Sequence, residues 1–308
     1  MPIIEVEKLC REFAGNRALD ELSFSVEPGE IFGLVGPDGS GKTTCLRILC
    51  GLIEPSSGKV SVLGTDVSRH PERIRHEIGY MAQPAGLYDD LTVAENIQFY
   101  AALYDIQPPD YKERMERLLH FSGLAPFSDR YFRNLSGGMK QKAGLSCALI
   151  HTPRILFLDE PTNGVDPVSR RDFWKILYEL KRENVTIVVA STYLDEADRC
   201  HRVAMFEKGK ARLILQPMAM RSLMKGFLFN LSAADRIKTI KALRRIPQVK
   251  QSSVFGAEIH ILLSTPEDLP AVQKHLTDLG ITDFETNAIE PTLEDVYLSL
   301  VAPHKDEV

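Results

Sequence analysis

A glycine-rich segment carrying one lysine is the clearest candidate for chemistry in the sequence. Residues 36–43 read Gly-Pro-Asp-Gly-Ser-Gly-Lys-Thr and directly follow the apolar run Ile31–Val35. The segment fits the pattern G-x-x-x-x-G-K-[ST] at every fixed position. Backbone N–H groups in such a loop surround a phosphate at the start of a helix, where the helix dipole favours negative charge. The alternative is a glycine-rich turn with an exposed lysine, which the strand before it and the helical pattern after it disfavour.

This loop predicts a site for ATP and Mg²⁺. Lys42 would reach the β- and γ-phosphates, and the hydroxyl of Thr43 would bind the metal ion. The residues expected to contact the nucleotide in this segment are Gly36, Pro37, Asp38, Gly39, Ser40, Gly41, Lys42, Thr43 and Thr44.

Two acids, Asp159 and Glu160, follow the apolar run Ile155–Leu158. In combination with a phosphate loop, Asp159 would hold Mg²⁺ through water, and Glu160 would orient and polarise the attacking water. Adjacent acids at a strand end are also common as surface charge, so the pair predicts catalysis only together with the loop.

A third segment, residues 135–141, reads Leu-Ser-Gly-Gly-Met-Lys-Gln, and Ser136 precedes Asp159 by 23 residues. A serine and two glycines at a helix start form a second surface for an anion, although Ser136 taken alone is equally a simple helix cap. With these three motifs the sequence resembles the ATP-binding-cassette (ABC) ATPases. The resemblance implies that Ser136, Gly137 and Gly138 cover the ATP of a partner subunit, so that two subunits pair with two ATP molecules between them.

Further positions match the family one at a time. Gln83 stands where the family glutamine touches Mg²⁺ and water, and Phe13 stands where an aromatic ring packs on adenine. An ordinary core position remains the alternative for Phe13. Asn163–Asp166 matches the loop that crosses the dimer interface, and Asp166 before Pro167 is also a good helix N-cap.

One position departs from the family pattern. Thr192, ahead of Tyr-Leu-Asp-Glu-Ala, occupies the place where the family usually has a histidine that contacts the γ-phosphate. Threonine is shorter and carries no charge. The resemblance therefore implies reduced hydrolysis, with Thr192 in the catalytic set beside Glu160, Gln83 and Lys42, and suggests pairing with a different ATPase subunit that supplies a complete site.

The motifs require a particular set of elements to position them. Nearly continuous apolar runs at Ile31–Val35, Ile155–Leu158, Thr186–Ala190 and Val203–Phe206 are typical of strands buried on both faces. Helical patterns lie between them. The fold class predicted for residues 1–215 is α/β, a phosphate-loop NTPase cassette with a mainly parallel sheet and a helical insertion at about residues 88–150.

The composition changes near Gln216-Pro217. Residues 216–308 give the order strand, helix, strand, strand, helix, strand, which is the ferredoxin-like α+β plan, followed by a short helix at Leu293–Val301. This second domain lacks an acid pair, a metal cluster and a glycine-rich loop, so a structural, dimer-stabilising or regulatory role is expected for it.

The net charge and the hydropathy of the sequence indicate which kinds of partner are expected. The 308 residues carry a formal net charge of −5, and no apolar run approaches the ~18 residues that span a bilayer. Nucleic acid is therefore not expected as a partner. Residues 88–97 and the tail 291–298 resemble the bacterial subfamily that drives drug and small-molecule efflux, which implies a separate integral membrane permease, a second ATPase subunit and a peripheral position on the cytoplasmic face of the plasma membrane.

Two alternatives stay open at this point. One is an ABC ATPase that acts on the ribosome or on nucleic acid, although that type usually carries two cassettes and this chain has one phosphate loop. The other is an ATP-binding regulator with weak hydrolysis, which Thr192 keeps open.

Overall fold

The structure is a computed structural model that describes residues 1–83 and 86–301. By its internal contacts the chain divides into two compact units, Met1–Gln216 and Pro217–Val308, one residue away from the boundary drawn from composition. Each unit has its own apolar core.

In the described part of the first unit, the strands are β1 (Ile4–Phe13), β2 (Asn16–Val26), β3 (Ile31–Val35), β4 (Ser57–Val62), β5 (Thr65–Asp66), β6 (Ile78–Met81), β7 (Ile155–Asp159), β8 (Thr186–Ser191), β9 (Arg202–Glu207) and β10 (Lys210–Leu215). The helices are α1 (Lys42–Leu49), α2 (Val93–Leu103), α3 (Asp110–Ser122), α4 (Gly137–Leu149), α5 (Pro167–Arg182) and α6 (Leu194–Ala197).

The central sheet has the strand order β10-β9-β3-β8-β7-β6. Its pairs are parallel except for β10, which runs antiparallel to β9. Every residue of β3, β7 and β8 is buried, which explains why these strands show continuous apolar runs rather than alternation. The predicted α/β class with a mainly parallel sheet is therefore confirmed.

A second, antiparallel sheet with the order β2-β1-β4-β5 was not predicted. Along β1 the buried Ile4 and Val6 alternate with the exposed Glu5 and Glu7, as expected for a strand with one wet face. Its buried side packs against β3 and α1 in one continuous apolar core. This core holds the loop between β3 and α1 in place.

Three α-helices lie in the described part of the chain between β6 and β7. Helices α2, α3 and α4 enclose a small core of their own, which includes Ile97, Leu119 and Ala143. Thr92 and Glu95 form a capping box at the start of α2. No helix within residues 1–83 and 86–301 combines the length and the apolar content needed to cross a bilayer.

The elements of the second unit are α7 (Pro217–Arg221), β11 (Phe227–Ala233), α8 (Arg236–Leu243), β12 (Val249–Phe255), β13 (Glu258–Leu263), α9 (Leu269–Asp278), β14 (Phe284–Ile289) and α10 (Leu293–Val301). Its sheet has the order β12-β13-β11-β14 with antiparallel neighbours. Helix α8 begins at Arg236 because Asp235 caps it by accepting from the N–H of Lys238 at 2.9 Å.

Candidate functional site

The loop between β3 and α1 is shaped to receive an anion. Gly41 has φ 106°, and a Cβ at this position would lie 2.6 Å from the carbonyl oxygen of Ala18, so only glycine fits. Helix α1 then starts at Lys42 with no side-chain cap and no acid in its first turn. Its first N–H groups and the positive end of its dipole are therefore available to a phosphate.

Lys42 is folded back over this loop. Its Nζ donates to the carbonyl oxygens of Gly36 at 2.7 Å and Pro37 at 3.1 Å, and it lies 3.4 Å from Oε1 of Glu160. The side chain is buried, and these partners satisfy its charge.

Asp159 sits at the carboxyl end of β7, opposite the start of α1. Its Oδ1 accepts from the hydroxyl of Thr43 at 2.9 Å, and its Oδ2 accepts from the hydroxyl of Tyr80 at 3.3 Å. Burial, together with the charge of Asp159, raises the pKa of Tyr80 to about 12, so this tyrosine stays a donor. The two residues predicted to bind Mg²⁺ from the loop and the acid pair thus touch one another.

Glu160 follows directly in a left-handed backbone conformation, with φ 49°. Its Oε2 accepts from the backbone N–H of Thr192 at 3.1 Å and from the hydroxyl of Thr192 at 3.3 Å. Burial raises the pKa of Glu160, while the ammonium of Lys42 and the bonds from Thr192 oppose that rise. A buried carboxyl with a raised pKa in a strained backbone position is well suited to accept a proton.

Lys42, Thr43 and Glu160 border one cavity of about 360 Å³, and Asp159, which is not among its lining residues, bonds to Thr43. Its lining includes the exposed Gln83 and residues 38–44, together with Glu160. Sequence reasoning missed five lining residues, which are Asn16, Arg17, Ala18, Lys208 and Gly209. They come from the first residues of β2 and from the β9–β10 turn, and no local sequence pattern singles them out.

Phe13 does not line this cavity. Its ring is 42% exposed, which rules out the core alternative, and the guanidinium of Arg11 lies 4.4 Å from the ring centroid. Phe13 is at the end of β1, paired with Asn16 across the turn, and Asn16 itself borders the cavity. The ring is therefore next to the site and open to a ligand from solvent.

The donor set fits a magnesium nucleotide. Ser40 has a buried hydroxyl for which the described residues supply no hydrogen-bond partner, and this residue lines the cavity. Residues 1–83 and 86–301 contain no group of three or more His, Cys, Asp or Glu side chains placed to hold a metal. One carboxylate, one hydroxyl and one amide suit Mg²⁺ when phosphate oxygens complete its shell.

Ser136, Gly137 and Gly138 lie outside the cavity, at the start of α4. The Ser136 hydroxyl caps that helix by accepting from the N–H of Met139 at 3.4 Å. A Cβ on Gly137 would lie 3.3 Å from the carbonyl oxygen of Gly164, so this helix start adjoins the loop 163–166. Asp166 caps α5 as predicted, accepting from the N–H groups of Val168 and Ser169 at 3.1 and 3.0 Å.

Sequence reasoning also missed Glu196, a carboxylate that is 1% exposed. It accepts from Ser191 Oγ at 2.8 Å, from Trp174 Nε1 at 3.1 Å, and from Thr162 Oγ1. These bonds join the loop after Glu160 to the strand end before Thr192. The sequence gives no signal for this role, since an acid between Asp195 and Asp198 is typical of a solvated turn.

Comparison with known proteins identifies the family of this chain. A family model described as "ABC transporter" matches residues 19–163. The chain is 37% identical over 306 residues to "Probable multidrug ABC transporter ATP-binding protein YbhF" of Escherichia coli (strain K12), a match covering 97% of this chain and 52% of that protein. It is 30% identical over 310 residues to "Daunorubicin resistance ATP-binding protein DrrA2" of Streptomyces coeruleorubidus, covering 99% and 96%. The chain therefore belongs to the ABC transporter family, as an ATP-binding subunit.

The chain spans about half the length of the E. coli relative. A solved ATP-binding subunit of an ABC transporter is similar to it with a TM-score of 0.65 and 27% identity, covering 72% of this chain and 92% of that one. This likeness confirms the predicted cassette fold.

Proposed function

We propose that this chain hydrolyses ATP to power the export of organic small molecules through a separate integral membrane permease. The observation that carries the proposal is the convergence of the phosphate loop and Glu160 on one cavity, with Asp159 bonded to Thr43 of that loop. Two relatives whose names refer to multidrug transport and daunorubicin resistance support export as the direction. The chain would act at the cytoplasmic face of the plasma membrane, bound to its permease.

In this proposal the chain's own residues divide the work. Thr43, Asp159 and Gln83 hold Mg²⁺, which supplies charge neutralisation at the phosphates when bound. Lys42 exchanges its carbonyl acceptors for the β- and γ-phosphates. Glu160 orients the attacking water and accepts its proton, helped by a pKa that burial has raised.

Pairing completes the site. Ser136, Gly137 and Gly138 leave their own cavity uncovered, and they lie beside the loop 163–166 on one surface. This placement supports a head-to-tail partner whose helix start covers the nucleotide. The partner is either a second copy of this chain or another ATPase subunit, and Thr192 favours the other subunit.

The Lys42→Ala variant tests nucleotide binding. We expect the affinity for ATP to fall by at least about tenfold, because a charge-assisted contact to the phosphates is lost. Isothermal titration with Mg-ATP measures this, and Lys59→Ala, at an exposed lysine on β4, is the matched control. Unchanged affinity in Lys42→Ala would overturn the assignment of the loop.

Thr192→His tests whether the threonine limits turnover. We expect phosphate release to rise several-fold, because imidazole reaches further than the threonine hydroxyl and can carry charge. A homodimer of the unchanged chain that already shows full ATPase activity would contradict both this expectation and the pairing with a different subunit.

Purification from membranes tests the export assignment. Tagged chain extracted in mild detergent should carry with it an integral membrane protein and any second ATPase subunit. Recovery with ribosomes or nucleic acid in place of a membrane protein would instead identify the ribosome-acting alternative.

A further inference from the structure

The first unit contains a second cavity, larger than the nucleotide cavity, at the opposite end of the central sheet. Its volume is about 530 Å³, and its lining includes Pro153 and Thr186, at the amino ends of β7 and β8. The nucleotide cavity lies at the carboxyl ends of the same strands. Since β8 runs from Thr186 to Ser191, the two cavities are separated by roughly 16 Å of strand.

The wall of this second cavity is mainly apolar. Leu118 and Phe121 come from α3, Leu149 from the end of α4, and Leu180 from the end of α5. Val185, just before β8, also lines the cavity. The volume is within the range of small-molecule sites, which are usually apolar with a few polar groups at fixed positions.

The polar groups of the cavity are predominantly cationic. Three arginines, Arg114, Arg117 and Arg154, line it together with a single acid, Glu183. Arg117 pairs with Glu183 at 2.6 Å, but both side chains are more than half exposed, so this pair is weak and can be exchanged. Arg154 lies 3.9 Å from Glu77, and Arg114 donates to the carbonyl oxygen of Ile150 at 3.3 Å.

Each of these described contacts uses one terminal nitrogen of a guanidinium that has five N–H donors. The arginines therefore retain donors for a further acceptor. A carboxylate or sulfonate is the group that a guanidinium fork binds best after phosphate, and an apolar body would cover the leucine and phenylalanine side chains.

Two loops that form the rim are held in fixed conformations. Thr152, between α4 and β7, has φ 54°, and Asn184, between α5 and β8, has φ 64°. The left-handed region is unusual for a β-branched residue such as threonine. Surrounding contacts must enforce it, including the bond from Thr152 N to Leu149 O at 2.9 Å, so the rim is formed before any ligand arrives.

We propose that this cavity binds an amphipathic organic anion, with its apolar body against Leu118, Phe121 and Leu180 and its acidic head group on Arg117 and Arg154. The ligand would connect α3 of the helical insertion to α5 of the sheet layer. This proposal goes beyond the proposed function and does not depend on ATP hydrolysis.

A pair of fluorescent probes tests it on the full chain. 8-Anilinonaphthalene-1-sulfonate has the anionic head, and N-phenyl-1-naphthylamine has the same apolar body without it. Both are titrated in the presence of saturating Mg-ADP, so that the nucleotide cavity is not available to them. We expect one sulfonate probe per chain, displaced by octanoate but not by octanol at the same concentration.

Variants of the lining residues test whether the probes bind in this cavity. They also distinguish the contribution of arginine charge from that of the cavity's shape. Arg117→Gln with Arg154→Gln should weaken the sulfonate probe at least tenfold and the neutral probe less than threefold. Arg69→Gln with Arg73→Gln, at exposed arginines outside the cavity, is the matched control and should change neither. Val185→Phe, which fills the cavity, should abolish binding of both probes.

Equal affinity of the sulfonate probe for the unchanged chain and the Arg117→Gln, Arg154→Gln variant would overturn the proposal. So would full binding of both probes to a folded Val185→Phe variant. If Val185→Phe fails to fold, the arginine variants decide alone, because their side chains lie at the surface and their folding is checked by retained ATP binding.

Discussion

Glu160 is the residue at which three parts of the site meet. Lys42 of the phosphate loop lies 3.4 Å from one carboxylate oxygen, and Thr192 donates twice to the other. The backbone N–H of Glu160 donates to the carbonyl oxygen of Ala190 at 2.9 Å, which fixes the backbone at Glu160 as well. Contacts from three directions therefore fix the position of this carboxylate, as the proposed role of proton acceptor requires.

The Glu160→Gln variant tests this role. We expect ATP binding to be retained and turnover to fall by roughly 10²–10⁴-fold, because the amide accepts no proton from water. Phosphate release measures turnover, and size-exclusion chromatography with ATP should show an accumulated dimer. Glu7→Gln, at an exposed glutamate on β1, serves as control. Unchanged hydrolysis would mean that another group is the base.

The site residues that could be predicted are those that occur in short, contiguous motifs. Lys42, Thr43, Asp159 and Glu160 were found because a phosphate loop and a strand-end acid pair each have a local pattern. Arg17, Lys208 and Glu196 escape prediction because tertiary packing positions them, from β2, the β9–β10 turn and α6 respectively. Nothing in their local sequence distinguishes them from surface charge.

At the scale of elements, the junction of α4 and α5 depends on a glycine. A Cβ on Gly138 would lie 2.6 Å from the Cβ of Ser169 and 2.7 Å from its hydroxyl oxygen. The first turn of α4 therefore packs against the first turn of α5 at backbone distance. This contact places Ser136 and the loop 163–166 on a common surface.

Gly138→Ala should separate these two helix starts. We expect a loss of about 1–3 kcal/mol in the free energy of unfolding, since a Cβ cannot rotate away from the contact. Gly137→Ala is the matched control, because its Cβ would lie 3.3 Å from a carbonyl oxygen that can shift slightly. Thermal unfolding compares the two, and equal melting temperatures would contradict the packing argument.

The elements that could be predicted best from the sequence are strands whose burial on both faces gives a continuous apolar run. The strands β3, β7 and β8 are buried on both faces and read as apolar runs. The antiparallel sheet escaped prediction because β1 contains many charged residues and register shifts against β2, which interrupt its alternation. A local sequence pattern reflects which residues are buried. An irregular strand that is half exposed therefore shows only a weak pattern.

At the scale of the whole molecule, stability should depend on pH through His151. This side chain is buried, stacks on Tyr104 with ring centroids 3.8 Å apart, and has its Nε2 2.8 Å from the carbonyl oxygen of Ile78. Burial lowers its pKa from 6.5 to about 4. Between these two values the unfolded chain binds a proton that the folded chain does not.

The free energy of unfolding should therefore fall as the pH drops from about 6.5 towards 4, by about 1–3 kcal/mol from this group. His151→Gln keeps a donor for Ile78 and removes the titration, so its denaturation curves should change less over this range. His120→Gln, at an exposed histidine, is the control. Identical pH dependence in His151→Gln and the unchanged chain would exclude this contribution.

The ion pair between Lys42 and Glu160 has a consequence for how the phosphate loop is probed. The lysine ammonium lowers the pKa of a carboxyl that burial raises, so any uncharged replacement of Lys42 leaves that carboxyl more readily protonated. Such a variant would be impaired twice, once in holding phosphate and once in the proton acceptor. Its lost turnover therefore measures two defects together, and raising the pH should restore only the second.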